Sequence, residues 1–290
     1  MTRKKILIIG AGFVGEAVGK VFLNKNHNVI FTDINPQVIT KLRSQNLPVL
    51  HPQEITDQIF DFDFLFFCIQ TPTKKGKVDL SYLLKGIKYY AKFISRSKKY
   101  QVCIIKSTVP PETTEKKLIP LLEKFSQKTA GKDFGICVNP EFLREKSAYE
   151  DFLNPKVTLI GKYDDVSARK LKELYKNFSA PLYIVSAKEA EMAKYIHNIF
   201  NALKISYFNE FRRISKVAGV DPELIYPIVA QSAEGMWNPE YGTQNKGPFE
   251  GSCLVKDLGA FNGWLKQKKI NSKLIKDIYQ INEVFSIKRG

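Results

Sequence analysis

Long apolar runs are absent from this sequence of 290 residues. No stretch reaches the roughly 18 consecutive apolar residues that a membrane-spanning helix needs, so we expect no membrane partner. The chain starts with basic residues followed at once by a short apolar strand, instead of the apolar core of a signal peptide, which predicts a cytoplasmic protein. Internal repeats and low-complexity linkers are also missing, and a hydrophobic content of 44% is ordinary for a folded chain.

Cysteine is scarce, and its spacing carries little information. Cys68, Cys103, Cys137 and Cys253 match neither a metal site nor a disulfide framework, so the sequence predicts no bound metal. The first three fall in predicted strands, where cysteine usually serves as a small core residue. Cys253 lies outside these strands, in a glycine-rich stretch.

Acidic residues are few relative to basic ones, and the formal net charge is +16. Such a charge suits an anionic ligand and would also suit a nucleic acid. The lysines are spread along the chain, with only short clusters such as residues 96–99 and 169–172. We therefore interpret most of them as solvated helix faces and expect no nucleic-acid partner.

The chain begins with a short strand that runs into a glycine-rich turn. Residues 6–9 are apolar, and Gly10, Gly12 and Gly15 follow with the spacing G-x-G-x-x-G. Gly10 permits a tight turn, Gly12 lets backbone N–H groups approach a pyrophosphate, and Gly15 lets the next helix pack close to the strand. A dinucleotide phosphate would then lie at a helix N-terminus. The alternative is a glycine-rich turn that holds no dinucleotide.

A carboxylate in the right place favours NAD over NADP. A second apolar run ends at Asp33, which lies 21 residues after Gly12. An acidic side chain there accepts hydrogen bonds from a ribose 2′-OH and repels a 2′-phosphate. The sequence therefore predicts an NAD site.

Residues 1–185 alternate strands with helices, which predicts a Rossmann-type, doubly wound, mostly parallel sheet in the α/β class. Ligands of such sheets bind beyond the carboxyl ends of the strands. Pro140 is placed to open a helix with Glu141 and Glu145 on one face. The polar residues at the predicted strand ends, which we expect to line one crevice, are Thr71, Thr73, Ser107, Thr108 and Glu141.

Residues 186–290 are predicted to form an all-helical domain with one long central helix. Ser186 and Glu189 have the spacing of a capping box, and apolar residues then recur at helical spacing over about 187–216. So many aromatic side chains predict that this helix is buried, partly against another subunit of a homodimer. Shorter helices are expected near 222–229, 254–265 and 272–285.

Cys253 lies in residues 247–257, a glycine-flanked loop that runs into a predicted helix. A thiol near a helix N-terminus has a lowered pKa and a larger thiolate fraction. Asp257 follows at i+4, on the same helix face. A single cysteine in a loop is more often inert than catalytic, so this feature alone does not establish a site.

Several motifs match one family in their order along the chain. They are the glycine turn, CIQTPT at 68–73, KSTVP at 106–110, NPEFLRE at 139–145, Lys194 and Asn198 with Asn209 and Glu210, and GSCLVKD at 251–257. On this ordered set, spread over positions 6–257, the chain resembles the UDP-glucose/GDP-mannose dehydrogenase family. The resemblance implies a four-electron, NAD-dependent oxidation of the C6 alcohol of a nucleotide sugar, with UDP-glucose to UDP-glucuronate favoured.

The resemblance also assigns roles to residues of this chain. Cys253 matches the cysteine that forms a thiohemiacetal and then a thioester, and Lys194 with Asn198 matches the pair that stabilises the developing oxyanion. Glu145 matches a residue at the nicotinamide that activates water, and Thr108 and Asp257 match residues that position water. The predicted catalytic residues are thus Cys253, Lys194, Asn198, Asp257, Glu145 and Thr108.

The binding residues follow from the same motifs. Lys256 matches a lysine near the cofactor phosphates, and residues 237–242 take the place of the substrate loop. The predicted cofactor-binding residues are Gly10, Gly12, Phe13, Val14, Gly15, Asp33, Thr71, Thr73, Thr108, Glu145 and Lys256. The predicted substrate-binding residues are Glu141, Phe142, Leu143, Arg144, Lys194, Asn198 and Tyr241.

The chain departs from the family pattern in three respects. Glu250 and Val255 stand where the family usually has glycine and proline. Members also carry a third, C-terminal domain that holds much of the nucleotide, and this sequence ends after the region that resembles the middle domain. Three explanations stay open: the nucleotide is held in a different way, the third domain comes from another chain, or the chain is a shortened and weakened enzyme. Two other functions stay open, a two-electron β-hydroxyacid-type dehydrogenase and a non-catalytic module that binds NAD or a nucleotide sugar.

Overall fold

The computed structural model describes residues 2–57, 60–243, 248–249 and 252–287. The strands are β1 (Lys5–Ile9), β2 (Asn28–Thr32), β3 (Val49–Leu50), β4 (Phe64–Phe67), β5 (Thr73–Lys74), β6 (Lys77–Val78), β7 (Val102–Ile105), β8 (Gly135–Val138), β9 (Thr158–Lys162) and β10 (Leu182–Ser186). The helices are α1 (Phe13–Asn24), α2 (Pro36–Ser44), α3 (Ser81–Arg96), α4 (Ile119–Ser126), α5 (Ala148–Leu153), α6 (Asp165–Leu174), α7 (Ala187–Ala218), α8 (Pro222–Ser232), α9 (Glu234–Trp237), α10 (Ser252–Gln267) and α11 (Lys273–Ile287). Short 3₁₀ segments at Pro52–Glu54 and Glu145–Ser147 and a π-helical turn at Thr114–Leu118 complete the set.

The central sheet has the order β10-β9-β8-β7-β4-β1-β2-β3, and all neighbours are parallel except β8 and β9. The predicted α/β fold class is therefore confirmed. Strands such as β4, whose four residues are all buried, are apolar throughout because helices cover both faces of the sheet. The strand order reverses where β1 lies between β2 and β4, which is the position at which such sheets bind ligands.

The predicted helix at Pro140 is wrong. Residues 139–144 have no regular secondary structure, and the chain turns helical only at Glu145–Ser147 and α5. The Glu141 carbonyl, which in a helix would accept a hydrogen bond from the Glu145 N–H, instead accepts one from Lys194 Nζ at 2.6 Å. The Glu141 carboxylate bonds the Leu143 N–H, a local contact that competes with helix formation.

The chain forms two compact units, Met1–Asn198 and Ile199–Gly290, and α7 starts in the first and ends in the second. The capping box at the start of α7 is present, since Glu189 Oε2 accepts hydrogen bonds from the Ser186 N–H and hydroxyl. The core of the second unit is a small cluster of Ile214, Leu265, Ile270 and Ile275. The predicted domain division at 185/186 stays a prediction.

Within a single chain, the central part of α7 is more exposed than the sequence predicted. Four apolar side chains that were expected to be buried, Ile196, Ile199, Phe200 and Leu203, are between 49% and 62% exposed.

In the part of the chain that the structure describes, no helix combines the length and apolar character required to cross a bilayer. The described part of the chain also contains no cluster of His, Cys, Asp and Glu suited to a metal ion.

Candidate active site

The glycine turn between β1 and α1 has the geometry that its spacing predicted. Gly10 has φ +88°, and a Cβ there would lie 2.8 Å from the Cys68 carbonyl oxygen. A Cβ on Gly15 would lie 2.0 Å from the Gly10 carbonyl oxygen, so α1 could not approach the strand with a larger residue. A Cβ on Gly12 meets nothing within 4 Å among the described residues. The turn is thus tight at two glycines and open at the third.

The open side of the turn suits a dinucleotide phosphate. Gly12 is the N-cap of α1, and no described side chain caps this helix. Its first backbone N–H groups therefore point toward the cleft and attract an anion. Asp33, directly after β2, accepts hydrogen bonds from the Ala11 N–H and the Asn35 N–H, both at 2.8 Å. These bonds hold the carboxylate beside the turn, where it can also accept a ribose hydroxyl.

A cleft of about 360 Å³ opens at the carboxyl ends of β1, β4 and β7. The Thr71 hydroxyl donates to the Thr108 carbonyl at 2.6 Å, which links the two strand ends across its floor. The residues that line the cleft are Gly12, Phe13, Val14, Cys68, Ile69, Gln70, Thr71, Lys106, Ser107, Thr108 and Glu141. Most of the crevice expected from the sequence is therefore present. Thr73 is absent from this lining and lies in the exposed hairpin of β5 and β6.

Glu141 connects the cleft to the first part of α7. The Lys194 Nζ donates to the Glu141 carbonyl at 2.6 Å and to Glu141 Oε1 at 2.8 Å. Lys194 is 5% exposed, so its ammonium group is fixed on one carboxylate in a nearly dry setting. Asn198, one helical turn further on, is exposed. A fixed cation of this kind can stabilise negative charge that develops on a bound oxygen.

Phe142 packs beside this pair. Its ring lies 5.6 Å from Lys194 Nζ and 4.8 Å from the His197 ring. Burial is the largest cause that lowers the pKa of His197, and the Lys194 ammonium lowers it further against an opposing effect of Glu141. Sequence reasoning missed His197, although its position three residues after Lys194 on a helix places it on the same face.

Two other predicted residues of this segment are exposed at the surface. Arg144 is exposed, and its guanidinium donates to both oxygens of Asp151, at 2.6 and 3.0 Å. The hydrogen bond from Arg144 lowers the pKa of the Asp151 carboxyl. Glu145 is the first residue of the 3₁₀ segment and is exposed. Neither belongs to the cleft lining.

Lys106 is a second residue that sequence reasoning missed as a site residue. It follows β7 directly, lines the cleft and is 3% exposed. Its Nζ donates to Asn139 Oδ1 at 2.8 Å. The available signal was a lysine placed immediately after four apolar strand residues, where a buried position is expected.

The remaining predicted residues lie in the second unit. Cys253 is the second residue of α10 and is exposed, as expected for a thiol at a helix N-terminus. Lys256 and Asp257 pair with each other at 3.1 Å and are exposed. Tyr241 lies in an exposed turn after α9, and Val255 occupies the first turn of α10. Glu250 falls outside the described residues.

Comparisons with known proteins bear on these sites. Residues 4–179 match the model of the "UDP-glucose/GDP-mannose dehydrogenase family, NAD binding domain", and residues 188–284 match the family's central domain. GDP-mannose 6-dehydrogenase of Azotobacter vinelandii is 30% identical over 297 residues, which cover 96% of this chain and 68% of the relative. UDP-glucose 6-dehydrogenase of Haloferax volcanii is 30% identical, with 96% and 69% covered.

The fold of a solved structure agrees with this result. A ternary complex of GDP-mannose dehydrogenase from Pseudomonas aeruginosa superposes with a TM-score of 0.88 at 30% identity, covering 97% of this chain and 68% of that one. The predicted NAD cofactor is confirmed by the match to the NAD-binding domain, and the open glycine turn and Asp33 fit it. Since both family models match and together span most of the sequence, the chain belongs to the UDP-glucose/GDP-mannose dehydrogenase family.

Proposed function

We propose that this protein oxidises the C6 alcohol of a nucleotide sugar to the carboxylate, through a thioester on Cys253. One observation carries the proposal: a buried Lys194–Glu141 pair, at 2.8 Å, adjoins a cleft that suits NAD. A buried cation next to this cleft can stabilise the negative charge that develops on an alcohol oxygen as the hydride leaves.

NAD held in the cleft would supply the hydride acceptor, once for each of the two oxidations. The protein's own residues hold the reacting atoms. The N-terminus of α1 binds the pyrophosphate, Asp33 binds a ribose hydroxyl, and the bonded ends of β4 and β7 at Thr71 and Thr108 support the nicotinamide end of the cleft. Lys194 stabilises the alkoxide of the sugar, and Asn198 on the same helix assists once substrate reaches it.

Cys253 accounts for the second oxidation. The first oxidation removes a hydride from C6 and a proton from the hydroxyl group on C6, and leaves an aldehyde. The Cys253 thiolate adds to this carbon and the aldehyde oxygen takes up a proton, which gives a hemithioacetal. Loss of a second hydride from the carbon and of that proton from the oxygen gives a thioester. Water then attacks the thioester, the C–S bond breaks, and the carboxylate leaves with the thiol restored. Glu145 and Asp257 are proposed to activate and position this water.

The choice of sugar is open to direct test. UDP-glucose is the substrate that the sequence motifs favour. GDP-mannose is a second candidate, because the superposition with a GDP-mannose dehydrogenase has a TM-score of 0.88. The substrate-binding roles of Phe142, Leu143 and Tyr241 are part of the proposal. Residues 142–144 are proposed to offer backbone groups to the substrate. The Arg144 N–H is free to do so only when it leaves Asp151, whose carboxylate accepts hydrogen bonds from both this N–H and the guanidinium.

The stoichiometry of NADH formation tests the proposal. The purified protein receives limiting UDP-glucose, GDP-mannose or a UDP-N-acetylhexosamine with excess NAD, and absorbance at 340 nm is followed. We expect two NADH per sugar from one of these substrates. Cys253→Ser should stop the second oxidation, whereas Cys103→Ala, which removes a thiol from the sheet core, should retain it.

The other outcomes identify other functions. One NADH per substrate would contradict the thioester and favour a two-electron dehydrogenase of the β-hydroxyacid type. NAD binding without turnover of any sugar would favour a non-catalytic binding module. Acid formation at the normal rate by Cys253→Ser would show that the nucleophile is a different group.

A further inference from the structure

Lys106 is a lysine buried at the carboxyl end of β7. It is 3% exposed, and among the described residues no carboxylate lies within ion-pair distance of its Nζ. Removing an ammonium group from water without a paired charge is costly, so such a residue persists only where its contacts compensate. The nearest such contacts are one amide oxygen and the ring of Phe152, whose centroid is 4.9 Å from Nζ.

The amide oxygen belongs to Asn139, and every polar atom of that side chain is engaged. Asn139 Oδ1 accepts from Lys106 Nζ at 2.8 Å and from the Tyr175 hydroxyl at 2.7 Å. Its Nδ2 donates to the Leu159 carbonyl at 2.7 Å. Asn139 is 2% exposed, so these bonds are in a dry setting and hold the side chain in one orientation.

Asn139 is also the first residue of the irregular segment that reaches Lys194. Glu141 follows two residues later and holds the Lys194 ammonium through both its carbonyl and its carboxylate. Residues 139–144 have no helix or strand to fix their path. The beginning of the segment is held by the backbone bond from the Asn139 N–H to the Ile105 carbonyl, at 2.9 Å, and by the side-chain bonds of Asn139, one of which comes from Lys106.

We propose that Lys106 is a positioning residue of the active site, which anchors Asn139 and thereby sets the position at which Glu141 presents the Lys194 ammonium to the substrate. The inference rests on the proposed role of Lys194 in the oxidation. In this role Lys106 acts through the chain from Asn139 to Glu141.

The charge of Lys106 gives this arrangement a pH signature. Burial lowers the pKa of Lys106 to about 8, Lys194 lowers it further, and the Cys68 thiol and the Glu141 carboxylate oppose the shift. Tyr175 and Phe152 complete the surroundings as uncharged groups. Below this pKa, the Lys106 ammonium adds its charge to that of the Lys194 ammonium, which is paired with Glu141. Above it, one of the two charges is lost, so turnover should decline as the pH rises through about 8.

The test compares Lys106→Met, Lys106→Arg and the control Lys98→Met, which removes an exposed lysine before the other end of β7. With the best sugar, Lys106→Met should lower kcat roughly 10- to 100-fold, as is typical when a supporting partner is removed, with little change in KM for NAD. Lys106→Arg keeps the charge and should recover most of kcat. Its kcat should stay level through pH 8, where the wild-type kcat falls, because a guanidinium does not titrate there.

A second readout is independent of turnover. Acetylation of Lys194 by an amine-reactive ester, followed by mass spectrometry, should be slow in the wild type because this lysine is buried and bonded. Lys106→Met should raise that rate about tenfold, as expected when one local anchor is lost. Labelling of the exposed Lys188 on the same helix should not change.

These measurements separate the two claims. Unchanged Lys194 labelling in Lys106→Met, or a wild-type kcat in that variant, would overturn the positioning role. A Lys106→Arg variant whose kcat falls near pH 8 as in the wild type would also overturn it. If no sugar is turned over but labelling rises as expected, the positioning role stands and the proposed oxidation fails.

Discussion

At the scale of single residues, the three glycines of the first turn have different structural duties. Gly10 and Gly15 are closed in by backbone oxygens, whereas the space beside Gly12 contains no described protein atom. The same substitution at different glycines should therefore affect different properties. A side chain at Gly15 would disturb the fold, whereas a side chain at Gly12 would disturb the binding of a ligand.

Gly15→Ala should destabilise the fold. Its Cβ would lie 2.0 Å from the Gly10 carbonyl oxygen, which forces α1 away from the sheet. We expect the free energy of unfolding to fall by about 1–3 kcal/mol, the usual cost of overpacking. Urea denaturation followed by circular dichroism measures this change, and an unfolding midpoint equal to that of the wild type would contradict it.

Gly12→Ala should instead spare the fold and weaken NAD binding. Its φ of −64° suits alanine and no described protein atom obstructs the Cβ, so stability should change by less than about 1 kcal/mol. The methyl group would occupy the side from which a pyrophosphate approaches, and we expect Kd for NAD to rise about tenfold or more. Isothermal titration calorimetry provides the measurement, and NAD binding as tight as in the wild type would place the phosphate elsewhere.

Lys194 is the residue whose loss should affect chemistry more than binding. Lys194→Ala removes the ammonium group proposed to stabilise the alkoxide, and a fall in kcat of about 10²–10³ is typical for the loss of one such donor. Kd for NAD should change by less than about threefold, since Lys194 does not line the cofactor cleft. Lys188→Ala, on the same helix and exposed, is the control. Equal losses in kcat and NAD affinity would argue for a purely structural role.

At the scale of elements, the start of α7 is tied to the rest of the first unit by two glutamates with opposite titration behaviour. Glu189 closes the capping box, and hydrogen bonds from Ser186 lower its pKa. Glu191, two residues later, is 2% exposed and accepts the Thr114 N–H at 2.8 Å. Burial raises its pKa above the ordinary value of 4.5.

The two glutamates should give opposite pH dependences of stability. A carboxyl with a raised folded-state pKa stabilises the protein fully below 4.5, and this contribution is lost as the pH rises through the folded pKa. A carboxyl with a lowered pKa stabilises above its ordinary value, and this contribution is lost as the pH falls. Relative to wild type, Glu189→Gln should therefore be less stable at pH 7 and equal in acid.

Glu191→Gln retains the hydrogen bond to Thr114 without a charge. Its stability relative to wild type should improve as the pH rises from 4 to 7, the reverse of the trend for Glu189→Gln. Urea midpoints over this pH range measure both trends. Parallel trends for the two variants would show that the two environments do not differ as the structure indicates.

At the scale of the whole molecule, the central part of α7 exposes a group of apolar side chains to solvent. Ile196, Ile199, Phe200 and Leu203 recur at helical spacing and are about half exposed or more. Apolar side chains clustered in this way are typical of a protein–protein interface. The homodimer expected from the sequence stays a prediction.

A charged residue on this face should separate the subunits. Light scattering after gel filtration should give twice the chain mass of 33.1 kDa for the wild type and the chain mass for Phe200→Glu. Tyr163→Glu, at an exposed aromatic residue of the first unit, should remain a dimer. A wild-type protein that is monomeric at micromolar concentration would refute the predicted interface.

Local patterns in the sequence determined much of this protein. The glycine spacing, the carboxylate after β2, the capping box of α7 and the alternation of strands and helices all depend on neighbouring residues, and the structure confirms each. Family membership followed from short motifs in order, which the family models confirm. The predicted roles of Cys253 and Asp257 rest on the same motifs and stay predictions.

Only the tertiary structure decided how the distant parts of the site meet. Lys194 binds Glu141 across 53 residues, and Lys106 binds Asn139 across 33. These contacts depend on which strands are neighbours in the sheet, which no local periodicity specifies. They also explain the failure at Pro140: the Glu141 carbonyl is engaged by a distant lysine, so the segment stays irregular where local signals favoured a helix.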